Sequence, residues 1–249
     1  MGLVDKISLA VGFCIYENSL DTVKRAIESW KDHVDVIYAI DGKFEEFESD
    51  QLLSSPDVRA YLQSIPNVEL VDFPNRLEHE KRQVYIDLCS RDMIDWLLIM
   101  DADEYITKET NWEMAKGRML ELTNETKTPM IFGMPYVNPE KSKRELGYPK
   151  IWRSPYLIKY HLTHNFFQFT TDGKIYKSST DWERIPGIFA RQNDKLRSKE
   201  YLDQSYQYQL KLMKREGPTK VKLRNVAENT KQWQQKDHRL TGLGDIPIM

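Results

Sequence analysis

The chain has 249 residues, enough for one large α/β domain or two small domains with a buried core. Hydrophobic residues make up 40% of it and aromatic residues 11%, which is typical of a folded globular protein and not of a disordered one. The formal net charge of -2 argues against the basic surface with which nucleic-acid-binding proteins hold phosphates.

The first hundred residues alternate between strand-like and helix-like patterns. Strands are predicted where apolar and β-branched residues run together, and helices where apolar residues recur at spacings of three and four. Asn18 or Ser19 is a suitable N-cap for the first helix. The predicted order is strand 7–15, helix 20–32, strand 34–40, helix 56–64, strand 67–73, helix 78–91 and strand 96–100.

This alternation indicates a mostly parallel sheet with helices on both faces, because consecutive parallel strands need crossover connections. The run 96–100 contains no polar residue, which is typical of a central strand that is buried on both faces. The sequence therefore predicts an α/β fold of the Rossmann-like kind.

The second half of the chain has a less regular pattern. Residues 130–137, 151–164 and 165–171 are rich in aromatic and β-branched residues and predict further strands, some of them antiparallel. Residues 199–215 predict a helix that ends before Pro218. The predicted boundaries are a regular half at 1–110, an acceptor-side half of the same domain at 111–217 and a peripheral polar tail at 218–249.

Cysteine content and hydropathy favour a cytoplasmic protein. Cys14 and Cys89 are the only cysteines, and they form neither a metal-ligand motif nor a disulfide framework. No secretory leader is visible. No segment reaches the roughly 18 consecutive apolar residues that a membrane-spanning helix needs, so we expect no transmembrane segment.

Three acids follow the predicted central strand directly. Asp101, Asp103 and Glu104 lie where a parallel sheet binds its ligands, outside the carboxyl ends of the strands. If the strand continued, Asp101 and Asp103 would point to one side about 6.5 Å apart. They would then repel each other by about 2.5 kcal/mol at an effective dielectric of 20. A Mg2+ or Mn2+ ion would relieve this repulsion; a solvated turn or the start of a helix at Thr107 is the alternative.

Four stretches resemble elements of the GT-A fold nucleotide-diphosphosugar glycosyltransferases, in particular the inverting family 2-like group. Within that group they are most similar to the branch that acts on bacterial lipopolysaccharide cores. The resemblance covers roughly residues 7–106. The four stretches are ISLAVGFCIYENSLDTVKRAIESW, VDVIYAIDGK, EHEKRQVYIDLCSRD and DWLLIMDADEY, and YPKIWRSPYLIKYHLTHNFF adds a weaker similarity.

The resemblance implies a metal-dependent glycosyltransferase of the hexosyltransferase type with a GT-A fold. Its donor would be a nucleotide-diphosphate sugar, most often a UDP-sugar in this family, and its acceptor a glycan, a lipid-linked group or a protein. The D-x-D motif would bind Mn2+ or Mg2+, with Asp103 as the direct ligand and Asp101 at the ribose or in the metal shell. His164 would be a third contact to the metal or the diphosphate.

The resemblance also implies three nucleotide contacts. Asp41 would accept a hydrogen bond from the base, and Arg82 would lie beside the nucleotide. Glu17 would approach it from the turn after the first strand. Here that turn reads Tyr-Glu-Asn where the family has Lys-Asn-Glu.

An inverting enzyme also needs a carboxylate base that removes the proton of the acceptor hydroxyl. We expect this base in the second half of the chain, where Asp172, Asp181 and Glu183 are the candidates; each could instead be a solvated surface acid. A non-catalytic module that binds a glycan or a partner on the same scaffold is the alternative function. A nucleotidyltransferase is less favoured, because GFCIYENS lacks a glycine-rich basic phosphate loop.

Overall fold

The computed structural model describes residues 5–45 and 47–125, the segment 183–192, and five strands between residues 131 and 177. Backbone placement alone is described for most of the residues beyond 125. All of these residues belong to one compact unit, Met1–Asp194. Across the described part of the chain, no helix is both long enough and apolar enough for a membrane crossing.

The described residues form twelve strands and four helices in an α/β arrangement. Their bounds are β1 (Leu9–Ile15), α1 (Leu20–Trp30), β2 (Val36–Asp41), α2 (Pro56–Gln63), β3 (Val68–Asp72), α3 (Glu78–Arg91), β4 (Trp96–Ile99), β5 (Glu104–Ile106), α4 (Trp112–Asn124), β6 (Ile131–Met134), β7 (Tyr148–Arg153), β8 (Leu157–His161), β9 (Phe166–Thr171), β10 (Lys174–Lys177), β11 (Glu183–Arg184) and β12 (Ala190–Gln192).

The main sheet has seven strands in the order β11-β6-β7-β4-β1-β2-β3. The strands β3, β2, β1 and β4 are parallel neighbours, while β7 is antiparallel to both β4 and β6. The prediction of a mostly parallel sheet is therefore confirmed. Strand β1 lies between β2 and β4, so the chain changes direction across the sheet between β1 and β4. A parallel sheet has its ligand crevice at such a switch point.

Helices cover both faces of this sheet, as predicted. Alternate residues of a strand point to opposite faces: Val11 and Phe13 join the core shared by α1, α2 and α4, whereas Ala10 joins the core shared with α3. The first core includes Ile27, Trp30, Val58, Leu62 and Met119, and the second includes Tyr85, Ile86 and Cys89.

Two smaller sheets accompany the main one. Strands β8, β9 and β10 form an antiparallel sheet, which confirms the expectation of antiparallel strands in the second half. Strand β5 pairs with β12, with Gln192 opposite Glu104. The predicted helix 199–215 and the predicted tail 218–249 lie outside the described residues.

Candidate functional site

The candidate site is centred on the acid turn, residues 101–104, at the carboxyl end of β4. Strand β4 ends at Ile99, and the Glu104 amide donates to the Asp101 carbonyl at 2.9 Å. The chain therefore turns here, and the expectation that strand geometry continues through Asp103 is wrong. The reason is local: the Glu104 Oε2 atom accepts from the Asp101 amide at 2.8 Å, which closes the turn.

The three acids of this turn differ in exposure. Asp103 is 8% exposed and Glu104 is 4% exposed, whereas the side chain of Asp101 is 41% exposed. Because Glu104 is buried and bonded to the backbone of the turn, it fixes the shape of the turn. Asp101 is the acid that solvent, or a ligand, reaches most easily.

Arg82 lies beside the acid turn. Its Nη2 atom contacts Asp101 Oδ1 at 2.9 Å and its Nε atom contacts Glu78 Oε1 at 2.8 Å, and its Nη1 atom donates to the Tyr85 hydroxyl at 3.2 Å. All three donors are on α3 or reach from it, because Glu78 and Arg82 are one helical turn apart on the same face. The structure thus brings together two of the sequence-predicted residues, Arg82 and Asp101.

The close approach of α3 to the sheet positions this arginine. The ring of Tyr85 lies on β1 at Gly12, where a Cβ atom would come within 2.6 Å of the ring carbon Cγ. Only glycine leaves room for the helix at this distance. The end of β1 next to it carries Cys14, and burial raises the pKa of this thiol to about 12. Cys14 is therefore a neutral thiol at physiological pH and a poor metal ligand or nucleophile.

The turn after β1 carries the exposed Glu17 with a φ of 54°. This left-handed conformation is uncommon for a residue other than glycine. Asn18 Oδ1 accepts from the Tyr16 amide at 3.3 Å, and Ser19 caps α1 by accepting from the Thr22 amide. Glu17 lies at the carboxyl end of β1, on the edge where ligands of parallel sheets bind; its contact with a nucleotide stays a prediction.

Asp41 ends β2 and is fully buried. Its Oδ1 atom accepts from the Ser54 amide at 3.0 Å and from the Ser54 hydroxyl at 2.7 Å, and its Oδ2 atom accepts from Arg59 of α2. Arg59 also forms a two-point contact with Asp72 at the end of β3, at 2.7 and 3.1 Å. Asp41 is therefore at the predicted edge with its carboxylate bonded inside the protein. A hydrogen bond to a base stays a prediction.

Lys81 is a buried charge that the sequence patterns did not single out. Its side chain is fully buried on α3, its Nζ atom donates to the Gly42 carbonyl, and it lies 4.2 Å from the centre of the Phe44 ring. Burial lowers its pKa to about 8. Nothing in the sequence marks this lysine, because it lies in the charged stretch EHEKR, which is typical of a solvated helix start.

The acid turn fits a hard divalent cation. Mg2+ and similar ions usually keep several waters and are held by one or two carboxylates together with phosphate oxygens of a substrate. Asp101 and Asp103 provide two such carboxylates. Among the described residues no group of three or more His, Cys, Asp or Glu side chains is arranged to hold a metal ion, so phosphate oxygens would have to complete the coordination.

The remaining predicted residues belong to the second half of the chain. His164, Asp172 and Asp181 lie outside the described residues. Glu183 is in β11, at the edge of the main sheet next to β6, and its side chain is not described. The third metal contact and the catalytic base therefore stay predictions.

Comparisons with known proteins give one similarity, to a solved structure. No family model and no curated protein matches the chain. The crystal structure of S. aureus TarS 1-349 matches with 17% identity and a TM-score of 0.38, over 59% of this chain and 47% of that one. Another TarS crystal structure matches with 16% identity and a TM-score of 0.37, over 59% and 28%. The chain therefore spans less than half the length of either TarS chain.

Proposed function

We propose that the chain is a metal-dependent glycosyltransferase that moves a sugar from a nucleotide-diphosphate donor to an acceptor hydroxyl, with inversion at the anomeric carbon. One observation carries this proposal: the acid turn and Arg82 meet at the switch point between β1 and β4. A UDP-sugar is the first donor to test, and the acceptor would be a glycan, a lipid-linked group or a protein.

The charges around the acid turn suit a diphosphate that arrives with a cation. Asp101 and Asp103 would hold the Mg2+ or Mn2+ ion, and the ion would stabilise the negative charge that develops on the diphosphate leaving group. Arg82 offers a planar guanidinium that can bind two phosphate oxygens at once. Glu78 and Asp101 hold this guanidinium at the crevice before any ligand binds.

The acceptor hydroxyl must lose a proton during the transfer. The carboxylates proposed for this step are Asp172, Asp181 and Glu183, and any one of them would have to approach the sugar from the side opposite the diphosphate. His164 is proposed as a further contact to the cation or the diphosphate. These assignments follow the family resemblance of the sequence.

A non-catalytic binding module is the second candidate function. It is favoured by Asp41, the proposed acceptor for the base, since all of its described partners are protein groups, Ser54 and Arg59. If the carboxylate keeps these partners, a nucleotide would lose one of its expected contacts, and the same scaffold could hold a glycan without transferring it.

Isothermal titration calorimetry with UDP, GDP and ADP, each with Mn2+ and with a chelator, tests the proposal. We expect one nucleotide to bind only in the presence of the ion, and Asp103→Asn to abolish that binding. Asp87→Asn, an exposed position on α3, is the matched control and should bind like the wild type. Nucleotide binding that ignores both the chelator and Asp103→Asn would refute the metal site.

Product analysis then separates the two candidate functions. The enzyme should release UDP from a UDP-sugar, by transfer or by slow hydrolysis, and Asp103→Asn should not. A protein that binds the nucleotide with the ion but never releases the diphosphate product would instead be the binding module.

A further inference from the structure

We propose that Lys81 is a positioning residue for the nucleotide: its ammonium group holds the turn after β2, residues 42–44, in the shape that receives the nucleoside part of the donor. This inference rests on the proposed function and extends it to a residue of α3 that does not belong to the acid turn.

The burial of Lys81 calls for a specific role. Lysine is almost never fully buried unless it is paired, because moving an unpaired ammonium group out of water is costly. The two described partners of the amine are the Gly42 carbonyl and the Phe44 ring. Both partners belong to the turn after β2, so the lysine ties this turn to α3.

The turn is also fixed from its other sides. Gly42 has a φ of 136°, and a Cβ atom there would come within 2.7 Å of the Pro74 Cα atom. The Gly42 amide donates to the Ile15 carbonyl at the end of β1, at 3.2 Å. The turn therefore lies against the end of β1 and against the loop after β3, and Lys81 supplies the contact from the helix.

Helix α3 thereby holds both rims of the crevice. Lys81 reaches the turn after β2, and the next residue, Arg82, reaches Asp101 of the acid turn. Ligands of parallel sheets lie along this edge. A nucleotide whose diphosphate is at the acid turn can place its nucleoside toward the turn after β2, so the two neighbouring residues would set the two ends of the ligand.

The groups that face the amine are known on each element packed against it. Cys14 lies on β1, Asp41 on β2 and Glu78 on α3, and all three act to raise the pKa of Lys81. Cys14 adds no charge at neutral pH, since burial raises its own pKa. Burial of Lys81 outweighs the two carboxylates and lowers its pKa to about 8. The ammonium form, and with it the charge on the contact to Gly42, is therefore lost as the pH rises through about 8.

The affinity for UDP with Mg2+, measured by calorimetry between pH 7 and pH 9, tests this role. Inorganic diphosphate with Mg2+, measured in parallel, corrects for titration of the phosphate and the ion. We expect the affinity of the wild type for UDP to fall about fivefold to tenfold over this range relative to diphosphate, the size of one charged hydrogen bond. Lys81→Met should bind UDP about tenfold more weakly than the wild type at pH 7 and show no such pH dependence.

Lys81→Arg keeps the charge at every pH tested and should restore UDP binding with a flat pH profile. Both variants should bind diphosphate like the wild type, and circular dichroism melting shows whether they are folded. If a variant does not fold, the pH series of the wild type decides alone, and a UDP affinity that parallels the diphosphate affinity overturns the inference.

The failures of the two proposals give different results. Lys81→Met that binds UDP as tightly as the wild type at pH 7 overturns the role of Lys81 and leaves the proposed function intact. A loss of UDP and diphosphate binding in equal measure also overturns it, because that result indicates general damage to the crevice. A wild-type protein that binds no nucleotide at any pH refutes the proposed function and this inference together.

Discussion

The buried lysine makes a quantitative prediction about stability that needs no ligand. Burial lowers the pKa of Lys81 from 10.5 to about 8 in the folded protein, whereas the unfolded chain exposes an ordinary lysine. Between these two pH values the unfolded chain binds more protons, so the free energy of unfolding rises with pH. The stabilisation is complete above the unfolded pKa and is lost as the pH falls through the folded pKa.

Lys81→Met removes this titration, because methionine carries no ionisable group. The difference in unfolding free energy, wild type minus Lys81→Met, should therefore increase by about 2.5 kcal/mol between pH 7 and pH 10, as these two pKa values require. Other titrating groups are present in both proteins and cancel in the difference. The level of the difference at pH 7 reflects other terms, including the Gly42 carbonyl that the variant leaves without its donor.

Urea denaturation followed by tryptophan fluorescence, at half-unit intervals of pH, measures both curves. Agreement of the urea midpoints with circular dichroism shows whether the transition is two-state. A difference that stays constant within about 0.5 kcal/mol from pH 7 to pH 10 would show that the lysine titrates normally and is solvated. A difference that decreases with pH would reverse the sign and refute the burial of the charge.

Two further predictions concern packing and use the same urea assay. Arg59→Leu should cost about 3–5 kcal/mol, because it leaves the buried Asp41 without its cation, whereas Arg91→Leu, at a side chain that is 52% exposed, should cost less than about 1 kcal/mol; equal costs would contradict the buried pair. Gly12→Ala should destabilise by about 1–3 kcal/mol, because it forces a tyrosine ring away from β1. Gly117→Ala, on a helix with nothing within 4 Å of its Cβ, should stabilise by about 0.5–1 kcal/mol; the opposite order would contradict the close contact at β1.

Much of the first half of the fold could be predicted from local pattern. Helix α3 spans Glu78–Arg91 as predicted, and the strands β1 to β4 follow the apolar runs, because buried parallel strands leave an unbroken apolar signature. Helix α4 was within reach, since Ala115, Met119 and Leu122 are buried at helical spacing. Strand β5 was not, because three residues paired with a distant segment carry no local pattern.

The candidate site was only partly accessible from the sequence. The position of Asp101 and Asp103 follows from the rule that ligands bind at the carboxyl ends of strands. Their geometry does not, because the Glu104 side chain turns the chain back on itself. The bonds of Arg59 join residues that are far apart in sequence, so the internal role of Asp41 depends on tertiary structure.

The pairing of β5 with β12 determines when the acid turn takes shape. One side of the turn follows β4, but the ribbon on its other side is completed by residues from much later in the chain. Contacts of such long sequence separation form slowly, since the intervening loop must close first. During synthesis at the ribosome, the strands β1 to β4 can therefore assemble while the acids still lack their second support, and a nascent chain would acquire its full affinity for cations only after β12 has emerged.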